Sequence, residues 1–448
     1  MKHKLVSAIL TLGMVMGLLA GCGSSEQAEN EGSTKTEVSS AGTEAAAADS
    51  GEKITLKLFH NWINVDEAPY FEDIAEEFES THPNVDIVVE NVGDPDYKSK
   101  LKVMLGADEA PDIFFSWSGE FAYKFARAGS ALDLTQYYEE DPEWKDSFVQ
   151  AALEPFTYED GIYGVPVRID AKLMIYNKDL FEEYNVEVPK TYEEFLTVCQ
   201  TFKDAGITPL AMGNSDPWTA CHYISTFNSM CVPTDVRAAD NNYKTGEFTN
   251  DGYVDALHML KDLNDKGYFT ANTNSIDFEV ARNDFLTGNA AMTYMQSIEF
   301  RRCKENNLNA GAFKIPFPEG EDGDANLVTG SPDGFMISKS CEHPEIAIEF
   351  LKLMTTKPWQ ERMITQLSSP ASVQGIHNEE NSDAVTLQAV EIYSNASGFA
   401  NWLDADIHSK TADVYVPGLQ EVIDGTVTPE DLMAEVQTIA KEVQTEDE

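Results

Sequence analysis

The sequence predicts an α/β protein built as two lobes. Strand-like alternation and helix-like periodicity follow one another from residue 54 onward. The globular stretch, from about Glu52 to Thr445, is longer than one hydrophobic core usually serves. A hydrophobic content of 42% is ample for packed interiors.

The elements follow in order. Ile54–Phe59 alternates apolar and polar residues and reads as a strand. Pro69–Glu79 places Tyr70, Phe71, Ile74, Ala75 and Phe78 at helical spacing, and Val85–Glu90 is a second strand. Strand, helix and strand at this spacing form a parallel-sheet unit. Tyr97–Leu105 is amphipathic, and Pro111 introduces a third strand ending at Phe115. Asp160–Pro166 is rich in turn residues, and Leu173–Tyr176 reads as a buried strand. Thr191 and Glu194 have the spacing of a capping box, which starts a helix to Phe202. Ile207–Met212 is a strand leading into Asn214–Tyr223, where Asp216-Pro217 signals a turn just before Trp218. Helices over 251–266, stopped by Gly267, and over 278–286 follow. Strands at 290–294 and 334–338 and a helix over 344–354 come next, with Ser331–Gly334 read as a turn. A final helix starts near Pro429. No fixed-period repeat is present.

The N-terminus is read as a targeting segment. A basic start, an apolar run from Leu5 to Ala20 and the sequence Leu19-Ala20-Gly21-Cys22 resemble a bacterial lipoprotein signal, with residues 1–21 removed and Cys22 lipidated. Residues 22–51 then form a linker of Ser, Glu, Ala, Gly and Thr that cannot bury enough apolar surface to fold. Such a tether reaches roughly 30 Å. The net charge of −46 opposes nucleic acid and anionic lipid as partners. Beyond Cys22, the cysteines are Cys199, Cys221, Cys231, Cys303 and Cys341, an odd number with no zinc-site spacing. Cys221 and Cys231 either pair or remain buried thiols. Gly-x-Ser-x-Gly, Walker, Gly-x-Gly-x-x-Gly and His-Glu-x-x-His motifs are lacking. With 77 acidic residues, coincidental carboxylate pairs are inevitable, so counting does not separate a two-carboxylate hydrolase from a solvated surface.

The stretch GIYGVPVRIDAKLMIYNKDLF (161–181), followed by VPKTYEEFL (188–196), resembles the family-1 extracellular solute-binding proteins, the maltose-binding-protein group. PYFEDIAEEFESTHPNVDIVVE (69–90), APDIFF (110–115), FLTGNAAMTYM (285–295) and EHPEIAIEFLKLMTT (342–356) agree in the same order. The resemblance implies a two-lobe periplasmic-binding-protein type II fold with a hinge of crossing segments. It implies lobe one over 52–165 plus 290–340 and lobe two over 166–289 plus 341–448. It further implies a receptor without catalysis, cofactor or metal. Such a receptor captures a carbohydrate between its lobes as a monomer and delivers it to an ATP-binding cassette permease from a lipid anchor on the outer face of the cell membrane.

The resemblance also implies site residues. Trp218 falls where the family stacks a sugar ring; the other reading is a cap on the core of lobe two. Trp117 and Glu120 follow the third strand, and Asn61 and Trp62 follow the first, where open α/β sheets place ligands. Asp170 falls at an acidic ligand contact, and Arg168 is either a contact or its salt-bridge partner. Trp402 resembles a cleft-edge aromatic, and Asp333 lies at a later crossing. Met295-Gln296-Ser297 replaces a Gly-x-Trp platform, which leaves Gln296 as the contact there and departs from the maltodextrin pattern. Several aromatics and acids together also suit a polyamine or other cation.

Overall fold

The structure is a computed structural model that describes residues 53–63, 67–93, 96–107 and 109–445. The signal segment, Cys22 and the linker lie outside the described residues. Strands β1 (Ile54–His60), β2 (Val85–Asn91) and β3 (Ile113–Trp117) are parallel neighbours in the order β2-β1-β3. The helices Ala68–Thr81 and Asp96–Leu105 connect them. A short hairpin, β4 (Thr157–Tyr158) with β5 (Gly161–Ile162), precedes the long strand β6 (Val165–Asn177). Strands β7 (Thr208–Ala211) and β8 (Ala290–Gln296) are parallel to each other. Strands β9 (Ala310–Phe313), β10 (Leu327–Ile337) and β11 (Gly398–Ala400) complete the set.

Two strands hold the halves together. β10 is antiparallel to β3 at its C-terminal end and to β6 along its middle. β6 leaves β10 after Ala171 and pairs with β8 and β9 instead. The sheet thus runs β2-β1-β3-β10-β6-β8-β7 through both lobes. A register shift between Asp333 and Gly334 marks the crossing as a β-bulge, which bends the strand and re-aims the flanking side chains. Gly334 is required there: a Cβ would lie 2.4 Å from the Val165 carbonyl oxygen.

Packing departs from the expected division of the chain. The core around Leu58, Phe71 and Phe114 also takes Phe350, Leu351, Trp359 and Ile364, so the helix Pro344–Met354 serves the first lobe. Ala291, Met292, Tyr294 and Phe313 pack instead with Phe195, Tyr223 and Leu257. The chain therefore crosses at β6, β10 and again after the helices that follow β10. Ser331–Gly334, expected as a turn, lies within β10. Pro332 and the flanking Gly330 and Gly334 imitate a loop, but Gly330 to Asp333 pair in register with Ala171 to Arg168, Pro332 facing Ile169, before the bulge.

Local signals read from the sequence otherwise correspond to observed elements. Thr191 Oγ1 accepts from the Glu194 amide at 3.2 Å, capping the helix Tyr192–Asp204. Glu194 reaches back to the amide of Lys190, one residue before the cap. The helix Gly252–Asp265 ends at Gly267 with φ +64°. Cys199, Cys221, Cys231 and Cys303 are buried free thiols, and Cys341 is a half-buried one.

Candidate functional site

The site is built on the two crossing strands. In β6, Arg168, Asp170 and Lys172 alternate with Val167, Ile169, Ala171 and Leu173. Period two sends the charged trio to one face and the apolar residues to the cores. In β10, Thr329, Ser331 and Asp333 alternate in the same way, and register sets Ser331 opposite Asp170 and Asp333 opposite Arg168. Opposed residues of an antiparallel pair share a face. The result is a buried polar floor where the strands pass between the lobes.

Hydrogen bonds tie the charged residues of that floor to their neighbours. Arg168 Nε donates to Asp333 Oδ2 at 2.7 Å, and its guanidinium lies 4.0 Å from the centre of the Trp62 ring. Gln296 Nε2 donates to Asp170 Oδ2 at 2.6 Å, and Ser297 Oγ lies 3.3 Å from Asp170 Oδ1. Burial, then the nearby Asp333 charge, raises the Asp170 carboxyl to about 6, against the opposing pull of Arg168. Ser331 Oγ lies 2.8 Å from Ser118 Oγ of the first lobe.

The second lobe supplies an aromatic wall. Pro217 precedes the helix Trp218–Cys231, so Trp218 is the first helical residue after the Asp-Pro turn. The Trp218 ring is half-buried, packed edge-on against Phe278 at 4.7 Å and tilted over His222 at 5.1 Å. Lys172 Nζ sits 4.8 Å from the Trp218 ring centre and 2.8 Å from His222 Nδ1. On its other side His222 meets the Trp402 ring at 4.2 Å. Burial, reinforced by Lys172, holds the His222 imidazolium well below its usual range. Burial also lowers the Lys172 ammonium to about 7, while Asp170 and Glu299 pull the other way.

The structure brings most of the expected residues together and separates a few. Arg168, Asp170, Asp333, Gln296 and Trp62 form the floor, with Trp62 only 3% exposed. Trp218 and Trp402 meet around His222, with Trp402 5% exposed. Asn61 is half-buried at the end of β1. Trp117 packs edge-on against Phe115 and Phe121, with Lys98 Nζ 4.8 Å from its ring. Glu120 pairs with Arg127 instead and lines a separate polar groove of about 510 Å³, with Arg127, Tyr158, Arg237, Asn401 and Asp406.

Residues 402–407 clasp the lobes. Trp402 and Ala405 belong to the first core, and Leu403 and Ile407 to the second. Gly119, at φ +72°, allows this approach: a Cβ there would lie 2.3 Å from Asp406 Oδ1.

Lys172 and His222 were missed by the sequence reading, yet both carried a signal. Lys172 continues the alternation of Arg168 and Asp170, and His222 lies one helical turn from Trp218.

Residues 64–361 match the family model for bacterial extracellular solute-binding proteins. The chain belongs to that family. Among relatives of this solute-binding protein, the multiple sugar-binding protein of Streptococcus mutans is 22% identical over 389 residues, 85% of each chain. An uncharacterized ABC transporter extracellular-binding protein of Pyrococcus horikoshii is 26% identical over 315 residues, 68% of this chain and 70% of that one. A solved chitin oligosaccharide binding protein superposes with a TM-score of 0.77 at 25% identity, covering 88% of this chain and 100% of that one. A structure from work on xylan utilization by the thermophilic bacterium Caldanaerobius polysaccharolyticus gives 0.75 at 26%, covering 86% and 99%. The architecture is the two-lobe fold of periplasmic solute-binding proteins.

Proposed function

We propose that this solute-binding protein captures an oligosaccharide between its lobes and delivers it to the membrane subunits of an ATP-binding cassette importer. The observation that carries the reading is the pairing of ring faces with a hydrogen-bonding floor. Trp62 lies against Arg168, which pairs with Asp333, while Trp218 and Trp402 meet around His222, and Trp218 lies against Lys172, the next charged residue of β6 after Asp170. A pyranose has an apolar face of C–H groups edged by hydroxyls. Flat rings cover that face while carboxylates, amides and guanidinium groups take the hydroxyls. Relatives and structural neighbours named for sugar or oligosaccharide binding support the same class.

In this reading the chain performs no chemistry, needs no cofactor and acts as a monomer. Lipidation at Cys22 tethers it outside the cell beside its permease, which raises its local concentration without further contacts. Closure on the ligand is a hinge motion about β6 and β10. Two cationic side chains in the floor, Arg168 and Lys172, weigh against a polyamine guest.

A thermal-shift screen of oligosaccharides and polyamines tests this. A ligand at a hundredfold its dissociation constant stabilises the chain by about 2.7 kcal/mol. Stabilisation by saccharides alone is the expected result. Stabilisation by polyamines alone, or hydrolysis of a saccharide by the purified chain, overturns the reading.

A further inference from the structure

Lys172 is 1% exposed and lies within the site, yet it forms no ion pair with any described residue. Asp170, two residues away on the same strand face, is engaged by Gln296 and Ser297 instead. The Lys172 ammonium is surrounded by the Trp218, Phe278 and Tyr294 rings, at 4.8, 5.8 and 5.7 Å, and by the His222 imidazole. Burial of a cation among rings is costly unless an anion joins it. The floor's other cation, Arg168, is already matched by Asp333.

A second observation comes from the helix that carries Trp218 and His222. Thr219 opens the same helix as Trp218 and is 3% exposed, and its Oγ1 has no hydrogen-bond partner among the described residues. Thr219 sits three residues before His222, as a neighbour on the helix surface. The positive end of that 14-residue helix adds to the local potential.

We propose that the guest is acidic: an oligosaccharide containing a uronic acid, whose carboxylate is received by Lys172 and Thr219. The proposal rests on the carbohydrate reading above and adds the charge of the ligand. One ammonium and one hydroxyl match a single-charged carboxylate better than a phosphate dianion, which calls for more donors. The net charge of −46 does not forbid an acidic guest, because bulk charges beyond about 8 Å are screened at physiological salt while a contact pair is not. A carboxylate also returns the proton that burial tends to strip from Lys172, whose ammonium is lowered to about 7.

The test is calorimetric titration of the chain with trisaccharides of galacturonic, glucuronic and mannuronic acid, each beside its carboxyl-reduced neutral counterpart. The expected result is that one acid binds at least about tenfold more tightly than its reduced form, the range of a hydrogen bond to a charged group. Lys172→Met should remove that preference, so that the acid and its neutral form bind within about twofold of each other, and Thr219→Val should diminish it. Melting of each variant without ligand verifies folding. A neutral form that binds as well as its acid overturns the charge assignment and leaves the carbohydrate reading standing. A preference that survives in folded Lys172→Met also overturns it. Failure of every saccharide, acidic and neutral, to bind overturns both.

Discussion

Replacing Trp218 with alanine separates a ligand platform from a core cap. The ring is half-buried, with one edge contact to Phe278 at 4.7 Å and one tilted contact to His222 at 5.1 Å. Aromatic pairs of this kind contribute about 0.5–1.5 kcal/mol each beyond area burial. A fully buried tryptophan loses about 3–5 kcal/mol on truncation, so this half-buried one should lose about 1–2 kcal/mol in the unliganded chain. Stacking of a sugar is given the magnitude of base–aromatic stacking, about 1–3 kcal/mol. That corresponds to an affinity loss of roughly 5- to 150-fold. Calorimetry reads the affinity, and urea unfolding of the unliganded chain reads the stability. Trp218→Phe keeps a ring and should recover part of the affinity. An unchanged affinity with a stability loss of about 3 kcal/mol or more would assign Trp218 to the core and refute the stacking argument.

Three further outcomes follow from the same geometry. Asp333→Ala removes the ion-pair partner of buried Arg168 and should destabilise by about 3–5 kcal/mol in urea unfolding, whereas Arg168→Met with Asp333→Leu should restore most of the loss; equal losses in the single and double variants would contradict this. Burial lifts the Asp170 and Asp406 carboxyls from 3.8 to about 6, so the folded chain holds protons that the unfolded chain releases between those values. Their contribution to stability is present below about pH 4 and lost as pH rises through 6, and Asp170→Asn combined with Asp406→Asn should flatten that part of the urea-midpoint profile; an unaltered profile counts against the assignment. Cys199, Cys221, Cys231 and Cys303 are buried thiols with raised pKa, so dithiothreitol should leave the melting temperature unchanged and a thiol reagent should label them only after unfolding; rapid labelling of these four in the native chain, or a drop in melting temperature on reduction, would show otherwise.

Periodic elements were legible because their signals are local. The first strand–helix–strand unit, the cap at Thr191 and the stop at Gly267 each depend on residues a few positions apart. Hydrophobic period and side-chain capping act within one element and survive whatever that element later packs against. The failures have a common cause. Ser331–Gly334 reads as a turn by composition, but the bulge and the pairing with Ile169 and Asp170 hold it in β10. The helix Pro344–Met354 carries an apolar face that says it must pack, and nothing in it says against which lobe.

The candidate site divides along the same line. Chain order alone placed Asn61, Trp62 and Glu120 after strand ends, whereas Trp117, expected beyond the third strand, is the last residue of β3, paired with Asp333; the alternation Arg168, Asp170, Lys172 was already written in the sequence. Strand register, not sequence distance, set Asp333 opposite Arg168, across 165 residues. Tertiary packing alone put Trp402 against His222 and set the Lys172 ammonium against Trp218 and His222. Glu120 was drawn out of the floor by Arg127, a partner one could not choose from 31 lysines and arginines by reading the chain. Backbone periodicity is a short-range property of the polypeptide. The partners of a buried charge are decided by which segments the fold folds over one another, because only there does desolvation make one contact worth more than the rest.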